Sequence, residues 1–181
     1  MEDAFAHHVW ATLRLVDACL ALSPQQLEGT VPGTYGSILD TLRHLIGSDA
    51  WDLFVATGDC ASLINEADMH LSELRAAMES HGPVWSRLLA QDLDPDAVLD
   101  EVDEDDGYER HLAMSIQLAQ ALHHGTDHRS QICTALTVLD VEPPAIDVLD
   151  FGLQEGRVVE ITVGASRAGR GQRPVGGVGP T

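Results

Sequence analysis

The chain has 181 residues, 44% of them apolar, which suits one domain with a sizeable core and not two. It carries 29 acids against 10 bases, a net charge of −19, and every base is arginine. A field of that sign repels phosphates and anionic lipid, so neither nucleic acid nor membrane is an expected partner.

Cys19, Cys60 and Cys133 are widely spaced and form no C-x-x-C, which argues against a disulfide framework and for a reducing, cytoplasmic setting. Acids near the start stand where a secretory leader needs bases, so no leader is expected. No apolar run reaches the length of a membrane span.

In chain order, Phe5, Val9, Leu13, Val16 and Leu20 recur at helical spacing and predict a helix over Asp3–Leu22. Ser23-Pro24 ends it, because a residue before proline avoids the helical region. Pro32 and Gly33 mark a turn within Thr30–Thr34. A second helix is predicted over Ser37–Ala56, stopped by Gly58, and a third over Glu66–Gln91. Gly82-Pro83 falls inside the third and should kink or break it.

Between Asp92 and Glu109 lie ten acids and no base, a run too repulsive for a long helix. Val98, Leu99, Val102, the Asp106-Gly107 turn signal, Tyr108, Leu112 and Met114 predict a small β-hairpin near 97–114, with the acids on its solvated face. A fourth long helix follows over Ser115–Leu139, then a shorter one over Ala145–Gln154. Four long helices with short connections predict an all-α four-helix bundle over residues 1–155 with the hairpin inserted before the last long helix. Residues 156–181 differ: seven Gly, no aromatic, and four Arg against one acid. This Gly/Arg-rich tail reads as largely disordered from Ala165 onward, with a weak strand pattern over Arg157–Val163.

Nine His is many for this length, and His123, His124 and His128 fall within LHHGTDHRSQI. Residues four apart on a helix share a face, one turn apart, so His124 and His128 can grip one metal ion. On a helical projection the pair lies at the edge of the apolar stripe of Leu118, Ala121, Ile132 and Leu136. Gln117 and Gln131 share its strip, and His123 lies about 100° away. The pair lacks the H-E-x-x-H signature, so no glutamate base is built in. A third ligand must come from another helix, and His44 is the His of the second helix. Its own face is left open by projection, because that helix is apolar nearly all round. Arg129 reads as a surface or helix-end ion pair, with an anionic substrate group as the alternative. Cys133 falls roughly opposite the His pair and is not a candidate ligand or nucleophile.

Three segments together carry a resemblance: GSILDTLRHLIGSDAWDL (36–53), HHGTDHRSQI (123–132) and PPAIDVLDF (143–151). In order and spacing, over about residues 4–154, the chain resembles the DinB/YfiT-like superfamily of metal-binding four-helix bundles. The first segment resembles the family's His-bearing second helix, with Asp49 at an acidic position and Trp51 near an aromatic one. The second resembles its H-x-x-x-H-R-G-Q segment, with Ser130 replacing Gly. The third resembles the closing proline-then-Asp helix. The resemblance implies a divalent metal site of His44, His124 and His128, and frequent homodimers. It also implies relatives that are bacillithiol- or mycothiol-dependent S-transferases or a mycothiol-dependent maleylpyruvate isomerase.

Three neutral imidazoles leave a divalent ion its full charge and an open position. Zinc is the first expectation and nickel the second, since nitrogen ligands suit both. A thiol placed there becomes a thiolate, and water becomes hydroxide near neutral pH. Both routes stay open on this chemistry; the resemblance makes a metal-dependent transferase of a low-molecular-weight thiol onto a small-molecule substrate the leading expectation. The alternatives are a metal-dependent hydrolase or isomerase on the same site, and a non-catalytic stress-related or small-ligand-binding bundle.

Overall fold

The computed structural model describes residues 1–103 and 107–161. The chain is mostly helical with one two-stranded antiparallel hairpin. The long helices are α1 (Glu2–Cys19), α3 (Ile38–Thr57), α4 (Leu71–Leu89) and α5 (Met114–Val138). The short ones are α2 (Pro24–Glu28) and α6 (Val148–Gln154). Strands β1 (Val98–Asp103) and β2 (Tyr108–Ala113) lie between α4 and α5. Each long helix packs on two others, α1 on α4 and α5, and α3 on α4 and α5. No described helix is long and apolar enough to cross a membrane.

Local chemistry explains most of the boundaries. Ser37 caps α3 by accepting the Asp40 N–H at 3.1 Å, and Gly58 ends it with φ +70, a conformation that costs a glycine nothing. Asp147 caps α6 by accepting the Leu149 N–H at 2.7 Å. Helix α2 was not expected. Its signal is the S-P-Q-Q run: Pro24 fills the first position, and Gln26 Oε1 accepts the Ser23 N–H at 3.0 Å. That turn claims Ser23 and draws the end of α1 back to Cys19, short of the expected Leu22.

Further expectations need correction. The third long helix starts at Leu71, not Glu66, because Cys60–Ser62 and Glu66–Asp68 form separate 3-10 turns. The Glu73 carboxylate accepts the His70 N–H at 2.8 Å and so starts the helix there. Pro83 does not break α4, which is continuous through it. Met78, His81 and Trp85 flank the proline and are all buried, so packing on both sides holds the helix together. Glu101 is not on a solvated face: it is buried, and its carboxylate accepts from Trp51 Nε1 at 2.9 Å and Tyr108 Oη at 3.1 Å and pairs with Arg110. This contact pins the hairpin to α3. Its register pairs Glu101 with Arg110 and Leu99 with Leu112.

Gly107 has the positive φ expected of the hairpin turn, while Asp106 lies outside the described residues. Of the strand pattern over Arg157–Val163, residues 157–161 form no strand and 162–163 lie outside the described residues: Arg157 pairs with Asp3 at 2.9 Å, and Val158 packs on Gly152. The expected disorder of Ala165–Thr181 falls outside the described residues.

The core has two apolar parts. One gathers Leu15, Leu42, Ile46, Met78, Ile132 and Leu136; the other gathers Phe5, Leu53, Trp85, Leu118 and Ala121. Leu136 is fully buried in the first part. Leu136→Ala should cost ~2–5 kcal/mol of stability, read as a lower urea midpoint, because the cavity cannot fully collapse.

Candidate metal centre

Helices α3 and α5 run antiparallel, since His44 meets His124 while Asp52, two turns further along α3, meets Gln117. His44 Nε2 lies 3.1 Å from His124 Nε2, and His128 Nε2 lies 3.0 Å from the same atom. One ligand atom from each ring falls within 4.8 Å of the others. Metal–nitrogen bonds of about 2.05 Å at a tetrahedral angle put neighbouring nitrogens ~3.3 Å apart, so the spacing fits a shared ion. Hydrogen bonding alone does not account for it. A ring nitrogen offers one lone pair or one hydrogen, and His124 Nε2 faces two partners at once. All three sequence candidates are therefore brought together, with His44 and His124 half-buried and His128 buried. His123 is exposed.

Burial lowers the pKa of all three rings. His44 is lowered by burial and then by His128, with Glu66 opposing. His124 drops to about 4 through burial and the neighbouring His128 and His44. His128 is lowered by burial, against a hydrogen bond to Gln131 and the charge of Asp127. At neutral pH the rings thus keep the lone pairs that metal ligation requires. Glu66 reaches this side because position 47 is glycine: a Cβ there would sit 2.5 Å from the Glu66 carboxyl carbon. Tyr35 closes another side, its ring stacked on His44 with centroids 4.1 Å apart and planes 9° from parallel.

Behind the triad lies a second polar cluster, missed by sequence reading apart from Asp49. Asp49 is buried at the centre. Its carboxylate accepts from His8 Nε2 at 2.9 Å, His81 Nδ1 at 2.7 Å and Trp85 Nε1 at 3.1 Å. Arg129 Nη1 donates to His8 Nδ1 at 2.9 Å and to Thr12 at 3.2 Å. A guanidinium only donates, so His8 Nδ1 accepts and Nε2 carries the hydrogen given to Asp49. Arg129 is thus no surface or helix-end ion pair: it is 3% exposed. Burial lowers its pKa to about 10, with Asp49 opposing, so it stays charged. Burial works to raise the Asp49 pKa, but the attraction of His8 and the hydrogen bonds of His8 and His81 outweigh it and hold the carboxyl below the usual range. Gly125 makes the arrangement possible, because any Cβ there would collide with the His8 ring. The missed signal was positional. His8 follows Phe5 and precedes Thr12 and Leu15 on one stripe of α1, and His81 sits between Met78 and Trp85 on α4.

Asp52 lies further along the same α3–α5 contact, buried, with its carboxylate accepting from Gln117 Nε2 at 2.7 Å. Burial raises its pKa to about 8, helped by the charges of Asp49 and Glu101 and opposed by Gln117. It is therefore largely protonated at neutral pH. A cavity of about 800 Å³ opens between α1, α5 and α6, lined by His7, Cys133, Phe151 and Val158 among others. None of the three histidines lines it, so it is separate from the triad. Cys133 is half-buried on that side, as the projection predicted.

No protein-family model matches the chain, and no curated protein matches it.

Asp49→Asn keeps the shape but turns amide hydrogens toward N–H donors. It should cost ~3–5 kcal/mol, the usual result of breaking a buried charged network, read by urea unfolding. Asp52 behaves oppositely. Its folded pKa of about 8 exceeds its ordinary 3.8, so the folded state holds the proton and stability falls as pH rises between those values. Asp52→Asn should therefore gain on the parent protein between pH 5 and pH 8. A difference in unfolding free energy that is the same at both pH values would contradict the raised pKa.

Proposed function

We propose that this chain is a metal-dependent enzyme built as a DinB/YfiT-like four-helix bundle, with His44, His124 and His128 holding one divalent ion. The observation that carries this reading is the convergence of three Nε2 atoms from two helices, 3.0 and 3.1 Å from one another across His124. Zinc is the first candidate and nickel the second. A divalent ion on three neutral imidazoles supplies charge that lowers the pKa of a thiol or water at its open position. The reaction we favour is transfer of a low-molecular-weight thiol to an electrophilic small molecule in the cytoplasm, by a homodimer. The DinB/YfiT-like resemblance supports the thiol.

The residues of the chain divide the work. His44, His124 and His128 provide lone pairs without charge, so the ion keeps its full electrophilic power. Glu66 acts on His44, and Asp127 on His124 and His128, so negative charge flanks the triad and favours a cation there. The exposed Tyr35 ring beside His44 offers an apolar surface to an incoming ligand.

The test begins with metal content of protein purified without a His tag, measured on the parent, His128→Ala and His123→Ala. The parent and His123→Ala should carry one ion per chain, and His128→Ala less than about one tenth of that, because two imidazoles cannot complete the site. Full occupancy in His128→Ala would remove His128 from the centre. Loss of free thiol with 1-chloro-2,4-dinitrobenzene, compared with ester cleavage without thiol, then separates transferase from hydrolase.

A further inference from the structure

Gln131 sits one turn beyond His128 on α5, half-buried. Its Oε1 lies 2.8 Å from the backbone nitrogen of Tyr35 and 3.2 Å from Nδ1 of His128. The first contact settles the second. A backbone N–H only donates, so the amide atom facing it is the oxygen. The same oxygen faces His128 Nδ1, so that nitrogen carries the hydrogen. His128 Nε2 is then the bare lone pair, and it is Nε2 that points at His124.

The Tyr35 contact reaches a second ligand. Tyr35 belongs to the loop between α2 and α3, and its ring lies flat on His44 and edge-on to His128, 5.3 Å between centroids. Tethering the Tyr35 backbone to α5 therefore holds the surface on which His44 rests. One amide oxygen fixes the tautomer of one ligand and the seating of another. A second hydrogen bond of this kind on a ligating imidazole commonly sets metal affinity by 10–100-fold.

We propose that Gln131 is the positioning residue of the three-His centre, acting on His128 directly and on His44 through Tyr35. This rests on the metal centre proposed above. Gln131→Leu keeps the bulk and removes the acceptor. Gln131→Glu keeps an acceptor oxygen in place.

Two measurements test it. Long-range proton–nitrogen NMR on the metal-free protein should show His128 as a single Nδ1–H tautomer in the parent and in Gln131→Glu, and as a mixture in Gln131→Leu. Zinc affinity, measured against a chromophoric chelator, should fall about 10–100-fold in Gln131→Leu and return to within a few-fold of the parent in Gln131→Glu. A single Nδ1–H tautomer with parental affinity in Gln131→Leu would overturn the proposal, as would an equal loss in both variants. The two readings fail separately. A parent that binds no zinc or nickel defeats the metal centre, while the NMR still decides whether Gln131 sets the tautomer. Should Gln131→Leu fail to fold, the parent and Gln131→Glu spectra carry the decision, and a tautomer mixture in either overturns the proposal.

Discussion

One buried carboxylate organises this molecule. Asp49 takes hydrogen bonds from α1 and α4 through His8, His81 and Trp85, and His8 in turn is held by Arg129 of α5. All four long helices therefore meet at one charge on α3. An uncompensated carboxylate in a core costs several kcal/mol, so the helices are free to approach only where its partners align. Along each helix the polar residues fall between apolar ones that belong to the two parts of the core. His8 lies between Phe5 and Leu15, Asp49 between Ile46 and Leu53, and His81 between Met78 and Trp85. A polar layer thus divides the core and restricts how far one helix can slide past another. Among the described residues, His81 Nε2 is buried without a partner.

The three-His cluster depends on that layer. Arg129 follows His128 directly, about 100° further round the helix, and reaches His8 and Thr12 of α1, so holding Arg129 in the core fixes the rotation of α5 that turns His124 and His128 toward α3. Asp49 does the same for α3, whose His44 faces the pair. The two clusters also have opposite electrostatic characters. In the core the charges of Asp49 and Arg129 offset each other through His8. At the triad, burial leaves neutral rings, flanked by the charges of Glu66 and Asp127. A site of neutral donors with negative surroundings favours a cation without neutralising its charge. The hairpin adds a third polar group beside α3, where buried Glu101 is fully partnered and Asp52 holds its proton instead. Burial, together with the charges of Asp49 and Glu101, raises the pKa of Asp52, whose carboxyl is met by the neutral amide of Gln117.

Much of this was visible in the sequence, and the misses share a cause. The long helices, the Gly58 stop, the hairpin and the His124–His128 pair rest on rules that act within a turn or two. The errors over Arg129, Glu101 and Pro83 came from treating charge and proline as signs of exposure or breakage. Each was overridden by partners distant in sequence: His8 lies 121 residues from Arg129, and Trp51 lies 50 from Glu101. Pro83 is tolerated because buried neighbours on both sides outweigh one lost backbone hydrogen bond.

By itself, the sequence determined helix content, where most of the elements begin and end, and that two histidines share one face of α5. Helical periodicity and capping are short-range properties that any such chain segment carries with it. Only the tertiary structure decided that His44 meets that pair from 80 residues away, and that Tyr35 and Gln131, 96 residues apart, share one hydrogen bond over it. Those contacts depend on how α3 and α5 are rotated about their axes. That rotation is set by the packing of the whole core around Asp49, which no local window of sequence contains.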